Sequence, residues 1–448
     1  MSRKTALILI IIVSITVCFE LFSPQASAAA DDKKNSAARE EIVLSFMNTM
    51  NDEENETLFE LIKEYGAKNP DVKIQIENVS FYDAKNYIEE KFRQKSLPDI
   101  MRVEIRLILA YARQKMFTAL DPYIATADYV DYFPYLYKFS VLNAKELYGI
   151  PQVTDCLVLF YNKSHFKDAK IGDAPKTMDE FLSCARRLTV DEDGNSADTT
   201  LFNQYKISRY GFSYHFESYY LLPFIFSYGG NLCDESGAPL IKSEKTKSAL
   251  KFIYDLKSKY NVVPSKIDPK FGHDFTLMEF MDGRVSMIID GPWNIKKIMK
   301  GQAFKDPENL GVAVIPRKLD SASPAGGQYL SISSSCKHPA KAYDFINFIN
   351  SKDAQARFAR DNYIIPTRKS VMDHLQAEPG KSAASIRKVL FEQMKLAALH
   401  AYNIPEPRYL DELNKALEKL LSGQKGFDET LEEMAKKFEA FASEPKRQ

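Results

Sequence analysis

Residues 275–293 read FTLMEFMDGRVSMIIDGPW. Phe275, Met278 and Met281 recur at helical spacing, and Gly283 is placed to end that helix with φ > 0. Residues 285–289 form an apolar run of strand length. Asp290-Gly291-Pro292 turns the chain, and Trp293, the only tryptophan of 448 residues, follows. In an α/β protein, a strand, a tight turn and a new helix place the turn at the carboxyl edge of a sheet, where open α/β sheets bind ligands. An indole there stacks its face on the C–H face of a sugar ring and keeps its N–H free to donate. The competing reading is a core tryptophan behind a turn.

Working outward, residues 42–47 read as a strand, and Leu58, Leu61, Ile62 and Tyr65 mark a helix. Val72, Ile74 and Ile76 alternate as a second strand. Residues 82–95 are helical and 100–103 form a third strand. This βαβαβ order implies a parallel sheet with right-handed crossovers. Thr177 and Glu180 have capping-box spacing, which starts a helix over 178–188. Residues 157–161 and 311–316 read as strands, 219–228 as an aromatic helix and 243–260 as another. Leu330 to Ser333 is a strand entered through Gly326-Gly327. Two helices close the chain, striped by Leu410, Leu413, Leu417 and Leu420 and by Leu431, Met434, Phe438 and Phe441.

Lys+Arg and Asp+Glu are both 60, so the net charge is zero and no nucleic-acid footprint is present. The N-terminus reads as an export signal: Arg3 and Lys4, the apolar segment 6–17, then Ala26-Ser27-Ala28 as a cleavage site. Cys18 raises a lipoprotein alternative, but Val17 before it is larger than such a site prefers. Residues 29–39 read as a flexible tail. Cys156, Cys184, Cys233 and Cys336 match no disulfide framework or metal spacing and read as separate buried thiols. Asp191-Glu192-Asp193-Gly194-Asn195 invites a calcium reading, but Ser196 and Phe202 stand where the loop needs Gly and Glu, so it reads as a solvated turn. No GxSxG, HExxH, Walker loop or GxGxxG occurs. The six histidines do not cluster and read as ordinary surface or polar residues. Neither a cofactor nor a metal is implied.

Several segments together resemble the extracellular solute-binding proteins of carbohydrate ABC importers, the maltose-binding class. They are LPDIMRVEI (97–105), ALDPYI (119–124), YGIPQVTDCLVLFYNKSHF (148–166), PKTMDEFLSCARRL (175–188), LLPFIFSYGGNL (221–232), FMDGRVSMIIDGPW (280–293), GGQYLSIS (326–333), HPAKAYDFINFINSKDAQARFA (338–359) and IIPTRKSV (364–371). Their order and spacing carry the resemblance, which covers nearly the whole chain after the export signal. It implies a two-lobed periplasmic-binding-protein fold of type II, each lobe a mixed, mainly parallel sheet flanked by helices. One lobe would take 40–153 and 317–367 and the other 155–314 and 369–445, with hinge crossings near Thr154, Ile315 and Thr367.

The resemblance also implies ligand residues. Asp155 stands where maltose-binding members place a contacting carboxylate. Glu217 and Tyr219 match their acidic and Tyr contacts, and Trp293 their stacking tryptophan. Glu104 and Arg106 occupy the loop after the PDI strand, Asn51 and Asp52 the loop after the first strand, and Gly327, Gln328 and Tyr329 the double-glycine segment. In NIPEPRYLDEL the contact is Arg408 or Tyr409. A second stacking tryptophan has no counterpart. The function implied is non-enzymatic: a monomer capturing a saccharide for the permease subunits of an ABC importer. The alternatives are a glycerophosphodiester or polyol binder, if Arg408 faces a phosphate, and a secreted enzyme or adhesin on the same fold.

Overall fold

The computed structural model describes residues 41–215, 217–234, 236–264, 272–379, 382–397 and 408–444. The export signal, the tail to residue 39 and the NIPEP segment lie outside the described residues. Two sheets organise the rest. The first has strand order β2-β1-β3-β8-β4, from β1 (Ile42–Asn48), β2 (Val72–Asn78), β3 (Ile100–Glu104), β4 (Ile150–Cys156) and β8 (Ala325–Ile332). The second has order β6-β5-β7, from β5 (Val158–Asn162), β6 (Met287–Asp290) and β7 (Leu310–Ala313).

The first sheet is mixed. β1 pairs in parallel with β2 and β3, as the βαβαβ reading requires, while β8 runs antiparallel to both β3 and β4. In the second sheet β5 is flanked by antiparallel partners, and parallel pairing around it among the described residues is limited to the isolated bridges Tyr210–Val285, Ser213–Ile288 and, past β7, Thr177–Arg317. The parallel share is therefore smaller there than expected. β6 and β7 both return to β5 from later in the chain, so neither is the product of a simple βαβ crossover.

Helix α1 (Asp52–Lys68) starts on a full capping box between Asn51 and Glu54, and its first turn is acidic, which complements the positive end of the helix. Leu58, Leu61 and Tyr65 are its core face. The capping box of Thr177 and Glu180 is also formed. In the organising stretch, the helix Gly272–Met281 ends at Gly283, whose φ of +80 suits a residue without Cβ. Its inward stripe is Thr276, Leu277 and Phe280, each fully buried, whereas Met278 is 56 % exposed. The stripe is thus shifted from the expected Phe275-Met278-Met281, because any residue in such an apolar run fits some helical phase.

The chain passes from the first sheet to the second at Leu157 and returns through residues 314–324. It passes a third time beyond the helix Lys352–Asn362, where Ile364 packs in the first sheet's core and Ile365 in the second's. The three passages are tied together: Thr154 N–H donates to Ile365 C=O at 3.3 Å, Thr367 Oγ1 to Pro151 C=O at 2.8 Å, and Leu157 N–H to Ser323 Oγ at 2.8 Å. Ile315 N–H donates to Gln393 Oε1 at 2.6 Å.

Two smaller expectations change. Asp191 is buried rather than solvated, and its carboxylate accepts backbone N–H groups from Asp193, Asn195 and Asn203, closing the loop on itself. The four described cysteines are free, three buried and Cys336 half-buried. No described helix is long and apolar enough to cross a membrane.

Candidate ligand cleft between the two sheets

The ends of both sheets face one cavity of about 390 Å³, a size suited to a small organic ligand. A broader concavity of about 470 Å³ opens among Arg186, Tyr205 and Lys259. It takes nothing from either main sheet's strand ends, and the groups described below converge on the first.

The first wall comes from the carboxyl ends of β1 and β3 and the start of β8. Arg102 is buried in β3 and held on three sides. Its Nη2 lies 3.1 Å from Glu54 Oε1, its Nε donates to Gln152 Oε1 at 2.9 Å, and its Nη1 to Thr49 Oγ1 at 3.1 Å. Burial lowers its pKa, and the carboxylates of Glu54 and Asp155 oppose that. Glu104 and Arg106 pair with each other at the cleft edge. Gln328 lies opposite Glu104 in the register and faces the cavity. A Cβ at Gly326 would strike the Asp155 carboxylate, and one at Gly327 the Val153 carbonyl, so the double glycine lets this strand pass close beneath the site.

The second wall is the turn after β6. Asp290 is fully buried, and its carboxylate accepts from Gly291 N–H at 2.6 Å and from Asn294 Nδ2 at 3.0 Å, fixing the turn that presents Trp293. His215 Nε2 lies 3.2 Å from the same carboxylate. Both partners have no exposure, so this histidine is a core residue behind the site, not a surface one. Trp293 packs against the core cluster that holds Leu159, Tyr220 and Met287, and it also lines the cavity. Helix α2 (Ser218–Ser227) brings Tyr219, with Glu217 just before it.

The walls touch at the rim, where Lys300 Nζ donates to Glu53 Oε1 at 2.7 Å, and inside the cleft. Tyr219 hydroxyl donates to Asp155 Oδ1 at 2.8 Å, and Asn51 Nδ2 donates to Trp293 C=O at 3.1 Å. Burial pushes Asp155 up to about 6; the Tyr219 hydroxyl works against that, and Glu104 adds to it.

Of the residues singled out in the sequence, Asn51, Glu104, Arg106, Asp155, Glu217, Tyr219, Trp293, Gly327 and Gln328 line this cavity. Asp52, Tyr329, Arg408 and Tyr409 do not. Asp52 is exposed in the first turn of α1. Tyr329 follows Gln328 on a strand, so it points to the opposite face, where it is fully buried and donates to Leu136 C=O at 2.7 Å. Arg408 pairs with Glu444 at 2.7 Å and lies over the Phe441 ring. Tyr409 is buried, stacked on Phe438 and donating to Gly237 C=O at 2.8 Å. Their helix, α3 (Arg408–Leu421), faces the cleft with Leu410, Asp411 and Asn414 instead.

The sequence reading passed over Arg102, Glu54, Asp411, Asn414 and the aromatic pair Phe81-Tyr82, all lining the cavity. Phe81 and Tyr82 follow β2 as the loops of Asn51 and Glu104 follow β1 and β3. Their position at the same sheet edge was the available signal. Among the described residues no group of His, Cys, Asp and Glu could hold a metal ion.

Residues 51–356 match the family described as bacterial extracellular solute-binding protein. The maltooligosaccharide ABC transporter solute-binding lipoprotein of Streptococcus pneumoniae is 25% identical over 258 residues, 56% of this chain and 55% of that protein. The galactooligosaccharide-binding protein of Bacillus subtilis is 25% identical over 280 residues, 60% of this chain and 59% of that one. The chain thus spans a little over half the length of these relatives. Among solved structures, the GacH receptor of Streptomyces glaucescens, described unliganded and in complex with acarbose, superposes with a TM-score of 0.77. It is 24% identical, with 90% of this chain and 99% of that chain covered, and the likeness is one of fold.

Proposed function

Because this chain belongs to the bacterial extracellular solute-binding protein family, we propose that it captures a saccharide between its lobes and delivers it to the permease subunits of an ABC importer. It acts as a binder, not a catalyst, and closes by rotation about the three chain passages. The observation that carries this reading is the cleft itself: Trp293, Tyr219 and Phe81 offer ring faces beside the planar groups of Gln328, Glu104 and Arg106. Sugar hydroxyls donate and accept at once, so planar amides, carboxylates and guanidinium groups satisfy them in pairs. The ring faces cover the apolar side of the sugar. A phosphodiester ligand loses its support, since Arg408 faces Glu444 and not the cleft.

A thermal-shift screen of mono- and oligosaccharides against glycerophosphodiesters and polyols tests the reading. A ligand at a hundred times its Kd stabilises by about 2.7 kcal/mol, and at least one saccharide is expected to raise the melting temperature. A shift from phosphodiesters alone would overturn it. Export follows from the family's extracellular setting, and we place cleavage after Ala28. Mass spectrometry of the exported protein is expected to find Ala29 first; a lipid-modified Cys18, as in the lipoprotein relatives, would correct this to a membrane-anchored form.

A further inference from the structure

At the rim of the cleft the two walls meet with opposite charge. The first turns of α1 carry Glu53 and Glu56, three residues apart and so neighbours on one side of the helix. Across from them is the short helix Ile295–Met299, which follows Trp293. Lys296 lies in it and Lys300 at its end, four residues apart and again on one side. Lys300 Nζ is 2.7 Å from Glu53 Oε1, and Lys296 Nζ is 3.8 Å from Glu56 Oε2. Both pairs run from one wall to the other. The Glu53 side chain is 14 % exposed, so its pair is the better sheltered of the two, while Glu56 stands open to solvent. Burial alone would raise the Glu53 carboxyl, but the ammonium of Lys300 outweighs it and holds that carboxyl below its ordinary value; the bond to Glu53 in turn raises Lys300.

Two uncharged contacts reinforce the same junction. Asn51 Nδ2 donates to Trp293 C=O at 3.1 Å, while its Oδ1 accepts from Glu54 N–H at 2.8 Å. The amide of Asn51 is thus largely spent on joining the walls and capping α1. Tyr363, at the third chain passage, donates its hydroxyl to Met299 Sδ at 3.9 Å. Every one of these contacts runs from protein to protein, so none of them needs a ligand between the walls. Swinging the lobes apart would break both ion pairs and the Asn51 bond together, and would leave two acids and two lysines facing water.

We infer that Glu53–Lys300 and Glu56–Lys296 form an electrostatic latch that draws the lobes shut before a ligand arrives, so that the ligand-free protein populates the closed form at low ionic strength. Each pair shifts the closed-to-open ratio by up to about five-fold, and the two together by up to about twenty-fold. A lobe pair drawn together in advance spares the ligand that part of the closing cost, and affinity rises accordingly. A neutral ligand would then bind in a salt-dependent way, because the salt acts on the rim and not on the ligand. The inference rests on the closing motion proposed above and is independent of what the cleft takes.

Small-angle scattering of the full exported protein without ligand tests it, with the emission of Trp293 as a second reporter. Raising sodium chloride from about 0.01 M to about 1 M is expected to enlarge the radius of gyration and shift the emission to the red. Lys296→Glu with Lys300→Glu should open the protein at low salt already, lowering the closed-to-open ratio by about ten-fold or more. Adding Glu53→Lys and Glu56→Lys to that variant should restore the closed form at low salt, which a merely structural role for the lysines would not do. Lys296→Gln with Lys300→Gln, at neutral charge, gives the same direction of change should the reversed variants fail to fold. A ligand-free protein that is open at low salt, or dimensions that respond neither to salt nor to these variants, would overturn the latch. If saccharides from the screen still compact the protein, the closing motion stands without it; if a bound saccharide leaves the dimensions unchanged as well, the closing motion falls too.

Discussion

On the first wall of the cleft the buried charge is Arg102, bonded to Glu54, Gln152 and Thr49 and so consumed by the protein. On the second it is Asp290, which turns the backbone and leaves Trp293 facing the cavity. The first wall uses its ion pair to hold two neighbouring βα loops in register; the second uses its carboxylate to aim a ring. Damage to the first should therefore appear as lost stability, and damage to the surface of the second as lost affinity.

The largest effect is expected at Arg102. Arg102→Ala strands Glu54 in a buried site, and removing one partner of such a pair costs about 3–5 kcal/mol. Denaturant unfolding of the ligand-free protein measures it. The double variant Arg102→Met with Glu54→Leu should recover most of the loss; a single variant within about 1 kcal/mol of wild type would show that the pair does not organise this wall.

Trp293→Ala comes next and tests the other wall. Loss of a buried aromatic at the centre of a site costs on the order of 2–4 kcal/mol of binding, about thirty-fold to a thousand-fold in Kd. As the only tryptophan, Trp293 also reports ligand through its own emission in the wild type. A folded variant with unchanged affinity and a lower melting temperature would return the ring to the core and erase the contrast between the walls.

The smallest effect lies where the walls meet. Asp155 has its pKa raised from 3.8 to about 6, burial being the main cause. The folded protein therefore holds this proton more tightly than the unfolded chain. The sign follows: its contribution to stability is most favourable at low pH and is lost as pH rises from about 4 to about 6, by ~1–3 kcal/mol. Asp155→Asn should flatten that part of the stability profile of the ligand-free protein. Parallel profiles for variant and wild type would mean that Asp155 titrates normally and is not withdrawn from water where the walls meet.

The sequence carried the architecture more fully than the site. Periodicity found β1, α1, β2 and β3, and the Gly283 stop and the Asp290-Gly291-Pro292 turn marked the second wall, because these are local signals. Helical phase was less legible: Tyr409 and Asp411 are two residues apart, and only packing against Phe438 decides which enters the core. The Arg102–Glu54 pair joins residues separated by 48 positions, and nothing within either segment announces it. The same holds for His215 and Asp290. Tyr329 illustrates the opposite failure, a right segment with strand alternation left uncounted.

The place of β8 in the first sheet bears on how the protein is made. β8 (Ala325–Ile332) lies between β3 and β4, and β4, at the sheet edge, has no other strand partner in this sheet. Until residue 332 has left the ribosome the sheet cannot close, and two strands with buried, largely apolar faces keep open edges. Such edges invite pairing with other chains. Formation of the first lobe thus waits on a segment translated after the whole of the second sheet. A nascent chain of this kind stays export-competent for most of its synthesis, and it depends for that time on whatever shields an unfinished sheet.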